Sequence, residues 1–291
     1  MTAPAPAVAA VHDLSCVGRC ALTVVIPALA AMGAQPCPLP TAALSTHTGG
    51  YEGMAIQDLT GFMEGCVRHW EALGLRFDAI YSGYLARAEQ AELILRLYEG
   101  QSKPKPPLLV VDPVMGDEGA IYSGIPRDMP NKMLGLCARA DLITPNVTEA
   151  SLLLGEAYRA EPKGPAEIDR LLAGLIGTGA KAAVVTGVPI GGGMRANALK
   201  RAGEAGYWAS EYAPYLAHYP GAGDLFASLM VGGLLAGDTP MSAMARATEI
   251  AREAVGVSVH TDSEVRAGLQ LERALPLIGR VKGAPPTRVE P

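Results

Sequence analysis

The chain has 291 residues, 49% of them hydrophobic and 18% charged, enough to bury a large core in one α/β domain. Its net charge of -5 leaves no broad basic face for nucleic acid or an anionic membrane. No apolar run approaches the roughly 20 residues that cross a bilayer, and MTAPAPAVAAVHD lacks the basic start of a signal peptide, so a cytoplasmic protein is expected. Five scattered cysteines, Cys16, Cys20, Cys37, Cys66 and Cys137, form no C-x-x-C pair and argue against a disulfide frame or a zinc site.

In chain order, short β-rich runs alternate with longer stretches of helical period. AVAAVH precedes GRCALTVVIPALAAM, DAIYSG precedes RAEQAELILRLYEG, and LLVVDP precedes a loop and MLGLCARA. DLITP is followed by NVTEASLLLG, and PAEIDRLLAGLIGTG by KAAVVTG. This is the rhythm of βαβ units, so a mostly parallel sheet with helices on both faces is expected. After Thr186 the glycine clusters and two strand candidates joined at AGEAG predict an antiparallel edge. Three helices then begin at Gly223, at Pro240 and near Glu264, ahead of a polar tail expected to fray. The expected organisation is one domain over residues 1–280 and a tail over 281–291.

Ligands bind beyond the carboxyl ends of parallel strands. Asp13 and Ser15 follow the first strand, Ser82 and Tyr84 another, Asp112 and Asp117 a third, Thr144 and Asn146 a fourth, and Thr186 a fifth. Each such residue can also cap a helix or make a turn. Their recurrence at one rim favours a site.

Gly221-Ala222-Gly223-Asp224 stands before an apolar helix. Its small residues let a ligand approach the backbone, and the unpaired amides of a helix start suit phosphate oxygens. Asp224 would repel that anion, so the better role is to accept a proton from an attacking alcohol, with a first-turn helix cap as the plain alternative. The chain has neither a GxGxxG fingerprint in the right place nor a GxxxxGK[ST] loop. In VVDPVMGDEGAIY and ITPNVTEASLLLG, Asp112, Asn146 and Glu149 offer oxygen ligands that suit hydrated magnesium; Glu149 alone would suit a first helical turn, and the company of Asp112 and Asn146 favours the metal role. In LSTHTGGYEG and SGYLARAEQAE, His47, Thr48 and Tyr84 could contact a small flat ring.

Taken together, STHTGGYEG, SGYL, DPVMGDEGAIY, ITPNVTEASLL and PGAGDLFAS resemble, in order, the segments of the pyridoxal kinases of the ribokinase-like superfamily. The resemblance implies a three-layer sandwich and ATP-dependent phosphorylation of the 5′-hydroxymethyl group of a B6 vitamer. It implies Asp224 as base and the backbone of Gly221, Ala222 and Gly223 as anion hole. Asp112 and Glu149 would hold Mg2+ largely through water, supported by Asn146. Tyr122, Thr144 and Thr186 would lie by the ATP phosphates, with Asp117 on the segment closing over them. His47, Thr48 and Tyr84 would contact the ring. The first loop, VHDLSCVGRCAL, is shorter than the family's, which leaves Ser15 as the ring-binding serine and Asp13 as its competitor. The family further implies a homodimer and a monovalent cation. Hydroxymethylpyrimidine kinases are the nearest rival, many with cysteine where Asp224 stands, and a non-catalytic binding module is a more distant one.

Overall fold

The computed structural model describes residues 4–101, 105–261 and 264–290. Six strands form the parallel centre: β1 (Ala7–Ser15), β2 (Gln35–Leu44), β4 (Ala79–Ser82), β5 (Leu108–Val111), β8 (Leu142–Ile143) and β9 (Ala182–Gly191). Antiparallel strands complete both edges: β3 (Ile56–Asp58) beside β2, and β10 (Met194–Arg201), β11 (Tyr207–Tyr212) and β12 (Thr287–Val289) beyond β9. The full order is β12-β11-β10-β9-β8-β5-β4-β1-β2-β3, and β6 (Gly116–Asp117) and β7 (Ala120–Ile121) make a separate hairpin.

The central strands are apolar on both faces because both faces are covered. Val8 and Ala10 of β1 face one core with α1 (Leu22–Ala31), α7 (Ala222–Leu235) and α8 (Pro240–His260). Ala9 and Val11 face the other, with α2 (Thr60–Ala72), α3 (Glu89–Glu99), α4 (Met129–Cys137), α5 (Val147–Leu154) and α6 (Pro165–Gly177). The alternation of adjacent residues between two cores is the period of a strand buried on both sides. The result is a helix–sheet–helix sandwich, as the rhythm of the sequence predicts.

Three departures have physical reasons. β2 carries Pro36, Pro38 and Pro40, which read against a strand; it pairs with β1 along its length but with β3 only at Ala42–Leu44. Alternate residues present their amides to the same side, so the missing N–H groups fall on the edge that β3 does not reach. The expected third helix near Glu264 is reduced to short turns and α9 (Leu271–Ala274). The tail expected to fray instead adds β12, which pairs Tyr207 with Val289 and Ala209 with Thr287 and is held by Arg288 donating to Ala205 O at 2.8 Å.

Candidate active site

The strand ends and the start of α7 converge. Gly221 is the N-cap of α7, with a left-handed φ of 88°, and no side chain caps the helix. A Cβ at Gly221 would lie 2.3 Å from Arg19 O, so only glycine permits this approach of the loop before α1. Above Gly223 there is open space: a Cβ there would meet nothing within 4 Å. Ala222 N donates to Tyr219 O at 3.3 Å, and beyond it the start of α7 opens on a rim with room for an anion.

Asp224, in the first turn of α7, does not fold back to cap its own helix. Its Oδ2 accepts the Ala21 amide at 2.8 Å and the Cys20 thiol at 3.5 Å, both at the start of α1. Ala21 itself sits at φ 51°, a conformation that costs a non-glycine residue about 1–3 kcal/mol. Oδ1 is the oxygen left for chemistry; His12 Nδ1 lies 4.0 Å from it, beyond hydrogen-bond distance. Burial pushes the Asp224 carboxyl up, against the pull of the Ala21 amide and the Cys20 thiol. A carboxylate fixed at one oxygen and raised in proton affinity suits a general base.

Asp112 ends β5, where Pro113 stops the strand, and its Oδ1 accepts the Thr144 hydroxyl at 3.0 Å. Burial, and then the charge of Asp224, push its pKa up to about 7, opposed by Thr144. Thr144, expected by the ATP phosphates, gives its hydroxyl proton to Asp112. Asn146 and Glu149 form a capping box at the start of α5, with Glu149 N donating to Asn146 Oδ1 and Asn146 N to Glu149 Oε2, both at 2.9 Å. Glu149 Oε1 also accepts Met115 N at 3.1 Å, and Asn146 Nδ2 donates to Gly116 O at 2.8 Å, so the pair ties the β6–β7 hairpin to α5. Burial and the neighbouring Asp112 hold the Glu149 carboxyl well above the usual range.

No group of three His, Cys, Asp or Glu side chains among the described residues is close enough to hold a bare ion. The chemistry of the donor set nonetheless fits a hydrated Mg2+: Asp112, Glu149 and Asp224 are acids at one rim, and none is paired with lysine or arginine among the described residues. Both Glu149 oxygens are engaged, so its role toward a metal is through water.

Tyr122 follows β7, and burial, then the charges of Glu149 and Asp117, push the pKa of its hydroxyl up. Thr186 lies in β9 and bridges to Asn146, with its amide on Pro145 O at 2.9 Å. Asp117, on β6, reaches His218 Nε2 at 3.3 Å, linking the hairpin to the segment before the glycines.

On the ring side, Tyr84 is half-buried, its hydroxyl raised by burial and by the charge of Asp13, and Thr48 is half-buried nearby in sequence to the glycine loop. Ser15 is fully buried and donates to Asp13 Oδ2 at 3.0 Å, so its hydroxyl proton serves Asp13. His47 is buried with both nitrogens engaged: Nδ1 accepts Gly49 N at 3.0 Å and Nε2 donates to Arg266 O at 2.7 Å. It can offer a ligand only a ring edge or face. The sequence reading missed His12, Cys20 and Ala21; the strand-end position of His12 was the one available signal, since the clamp of Ala21 on Asp224 joins residues 203 apart.

A separate cleft of about 400 Å³ lies between α5, the following loop and α6, lined by Glu156, Arg159, Lys163, Glu167 and Arg170. Its charges are largely paired internally, Arg170 with Glu156 at 2.7 Å and Lys163 with Glu167 at 3.6 Å, and none of the strand-end acids lines it.

An acid at an uncapped helix start, beyond the carboxyl ends of a parallel sheet sandwiched by helices, is the ribokinase-like arrangement. The phosphomethylpyrimidine kinase model matches residues 26–267, and the chain belongs to that family. A Bacteroides thetaiotaomicron structure with a provisional phosphomethylpyrimidine kinase assignment, in a crystal form described with pyridoxal, is 36% identical. It superposes with a TM-score of 0.92 over 98% of this chain and 100% of that one. Pyridoxal kinase from Lactobacillus plantarum is 33% identical, with a TM-score of 0.84 over 94% of this chain and 96% of that one. Pyridoxal kinase PdxY of Pasteurella multocida is 38% identical over 131 residues, 43% of this chain, so the match spans less than half (44%) of that curated relative.

Proposed function

We propose that this protein transfers the γ-phosphoryl group of ATP to the 5′-hydroxymethyl group of a B6 vitamer: pyridoxal, pyridoxamine or pyridoxine. One observation carries the reading: Asp224 is clamped through Oδ2 to Ala21, which leaves Oδ1 beside the uncapped start of α7. The alcohol would place its proton on Oδ1, and the amides of Gly221, Ala222 and Gly223 would receive the charge growing on the transferred group. Asp112, with Glu149 and Asn146 behind it, would hold Mg2+, which neutralises phosphate charge when bound. Tyr122, Thr144, Thr186 and Asp117 would flank the nucleotide; Thr48 and Tyr84, with Ser15, Asp13 and the edge of His47, would flank the ring. The Lactobacillus and Bacteroides relatives support a pyridine substrate.

The family description favours hydroxymethylpyrimidine as a second substrate reading. ADP formation measured side by side with the three vitamers and hydroxymethylpyrimidine, with and without a chelator, tests both. Turnover of a vitamer that stops on chelation is expected; preference for hydroxymethylpyrimidine would replace the substrate, and binding of ATP and vitamer without turnover would leave a binding module. Our reading also includes a homodimer, supported by exposed Ile56 on edge strand β3 and exposed Phe62 on α2, a monovalent cation near the nucleotide, and a cytoplasmic setting. No described helix is long and apolar enough to cross a membrane.

A further inference from the structure

Asp13 is the acid of the rim that general base and metal leave without a task. The β1–β2 register slips opposite it: His12 pairs with Pro40 and Leu14 with Ala43, so Thr41 and Ala42 together face the single Asp13. Such irregularities re-aim side chains next to active sites. Thr41 also ties down the adjoining wall, donating its hydroxyl to Tyr84 O at 2.9 Å and accepting Gln90 Nε2 on its carbonyl at 2.9 Å. Asp13 and Tyr84 are thereby set near one another, and the charge of Asp13 acts on the Tyr84 hydroxyl. On its other side the Asp13 carboxyl feels Asp224.

Asp13 is only 5% exposed, and the one side-chain donor it has is Ser15 Oγ at 3.0 Å. No lysine or arginine among the described residues acts on it, and its charged neighbour is a second carboxylate, Asp224. A buried anion in that setting is costly until a donor or cation meets it. The preceding residue, His12, is wholly buried with neither ring nitrogen partnered and Nδ1 turned toward Asp224 Oδ1 at 4.0 Å. At this strand end, then, His12 leaves both ring nitrogens without a partner and Asp13 has one side-chain donor and no cation, a setting expected where a polar ligand completes the site.

We propose that Asp13 is the specificity-determining residue that receives the protonated ring nitrogen of the substrate while Asp224 receives its hydroxymethyl group. The inference rests on the B6 reading and names the ring edge that the site reads. A 3-hydroxypyridine carries its proton on the ring nitrogen as a zwitterion near neutral pH. That nitrogen lies two ring bonds from the carbon bearing the hydroxymethyl group, so two carboxylates on one side of a flat ring, with Tyr84 against it, match its two polar points. The three vitamers share this edge and differ elsewhere, whereas a less basic pyrimidine offers a poorer partner.

The test compares pyridoxine with its carbocyclic analogue, in which C–H replaces the ring nitrogen, on wild type and Asp13→Asn. Ultraviolet difference spectra of bound pyridoxine, which report ring protonation, are taken on the same preparations. Asp13→Asn is expected to lower kcat/KM for all three vitamers alike by about 10- to 100-fold, chiefly through KM. It should leave the analogue within about 2-fold and abolish the zwitterion band of the bound ring. Equal losses on pyridoxine and the analogue, a loss confined to pyridoxamine, or a zwitterion band that persists in the variant would each overturn the proposal. The spectrum reads binding rather than transfer, so it decides the role of Asp13 even if absence of turnover sinks the kinase reading. Should Asp13→Asn fail to fold, Asp13→Ser is held to the same outcomes.

Discussion

Of the helices that carry an acid in the first turn, α5 and α7 put theirs to opposite uses. Glu149 of α5 folds back onto its own N-cap and spends both oxygens on backbone amides. Asp224 of α7 turns away from its helix, holds the amide of Ala21 in another element, and leaves α7 uncapped. One acid satisfies a helix start and the other vacates it. A cap stabilises the fold by about 1 kcal/mol; an open start forgoes that stability and gains an anion site. Residue type and spacing look alike in the sequence, and the direction of the side chain separates structure from chemistry.

The largest effect should come from removing the outward-turned acid. Asp224→Asn keeps an acceptor for Ala21 and removes the proton acceptor, so kcat is expected to fall by about 10²–10⁴-fold. Thermal unfolding should stay within a few degrees of wild type, because a buried carboxyl already raised by burial is replaced by a neutral isostere. A variant that kept its turnover would remove Asp224 from the role of base and erase the contrast with Glu149.

Next comes the backbone that lets Asp224 turn away. Gly221→Ala would put a methyl against Arg19 O in a left-handed position, at a cost of about 1–3 kcal/mol. It would also shift the segment whose Ala21 amide holds Asp224, so we expect kcat to fall by about 10- to 100-fold with ATP binding weakened as well. Steady-state kinetics together with a melting curve check both parts. Loss of stability with unchanged kcat would show that the clamp tolerates displacement.

How much of this was legible beforehand follows the range of the interactions. The central strands and the helices flanking them announced themselves through local composition, as in LLVVDP and KAAVVTG, because burial on both faces leaves continuous apolar runs. β2 did not, since its alternating prolines argue against a strand unless the unpaired edge is known. β12 did not, since its partner, β11, lies some 80 residues away and the tail itself is polar. At the site, GAGD and N-V-T-E marked the two helix starts correctly. The sequence could not show that Glu149 consumes its own oxygens, that Thr144 serves Asp112, that His47 is engaged on both nitrogens, or that Cys20 and Ala21 reach Asp224. All of these are partnerships set by tertiary geometry.

A third acid sharpens the contrast by having neither a helix to cap nor a helix to open. Burial, and then the charge of Asp224, push the pKa of Asp13 up to about 7, with the Ser15 hydroxyl opposing. Its unfolded value is about 3.9. Below that value both states hold the proton and no penalty arises. As pH rises toward about 7 the unfolded chain releases the proton first, so this group destabilises the fold progressively and the penalty levels off above its folded pKa. In the ligand-free protein Asp13→Asn should therefore match wild type near pH 4 and exceed it by up to about 4 kcal/mol near pH 8. Urea denaturation at the two pH values measures the difference; a gain independent of pH would mean that the carboxylate has a partner that neutralises it.

The smallest expected effect lies at the inward-turned acid's helix. Asn146→Ala removes the side chain that accepts Glu149 N and the donor to Gly116 O, and should cost about 1 kcal/mol, up to about 2 where the hairpin loosens too. The cap half of that cost is local to α5. The Gly116 half acts through the β6–β7 hairpin, which carries Asp117 and leads into Tyr122, two residues that our reading sets beside the nucleotide. The two halves separate by measurement: cap loss lowers the melting temperature alone, whereas a freed hairpin also raises the KM for ATP without touching the KM for the vitamer. Asn146→Asp divides them chemically, because aspartate retains the acceptor for Glu149 N but cannot donate to Gly116 O. If Asn146→Asp restores the melting temperature and leaves the ATP KM high, α5 is a helix start whose cap is structural and whose side-chain amide positions the nucleotide segment. If it restores both, the whole contribution of Asn146 is the cap, and the division between the two helix starts is as sharp as their side-chain directions suggest.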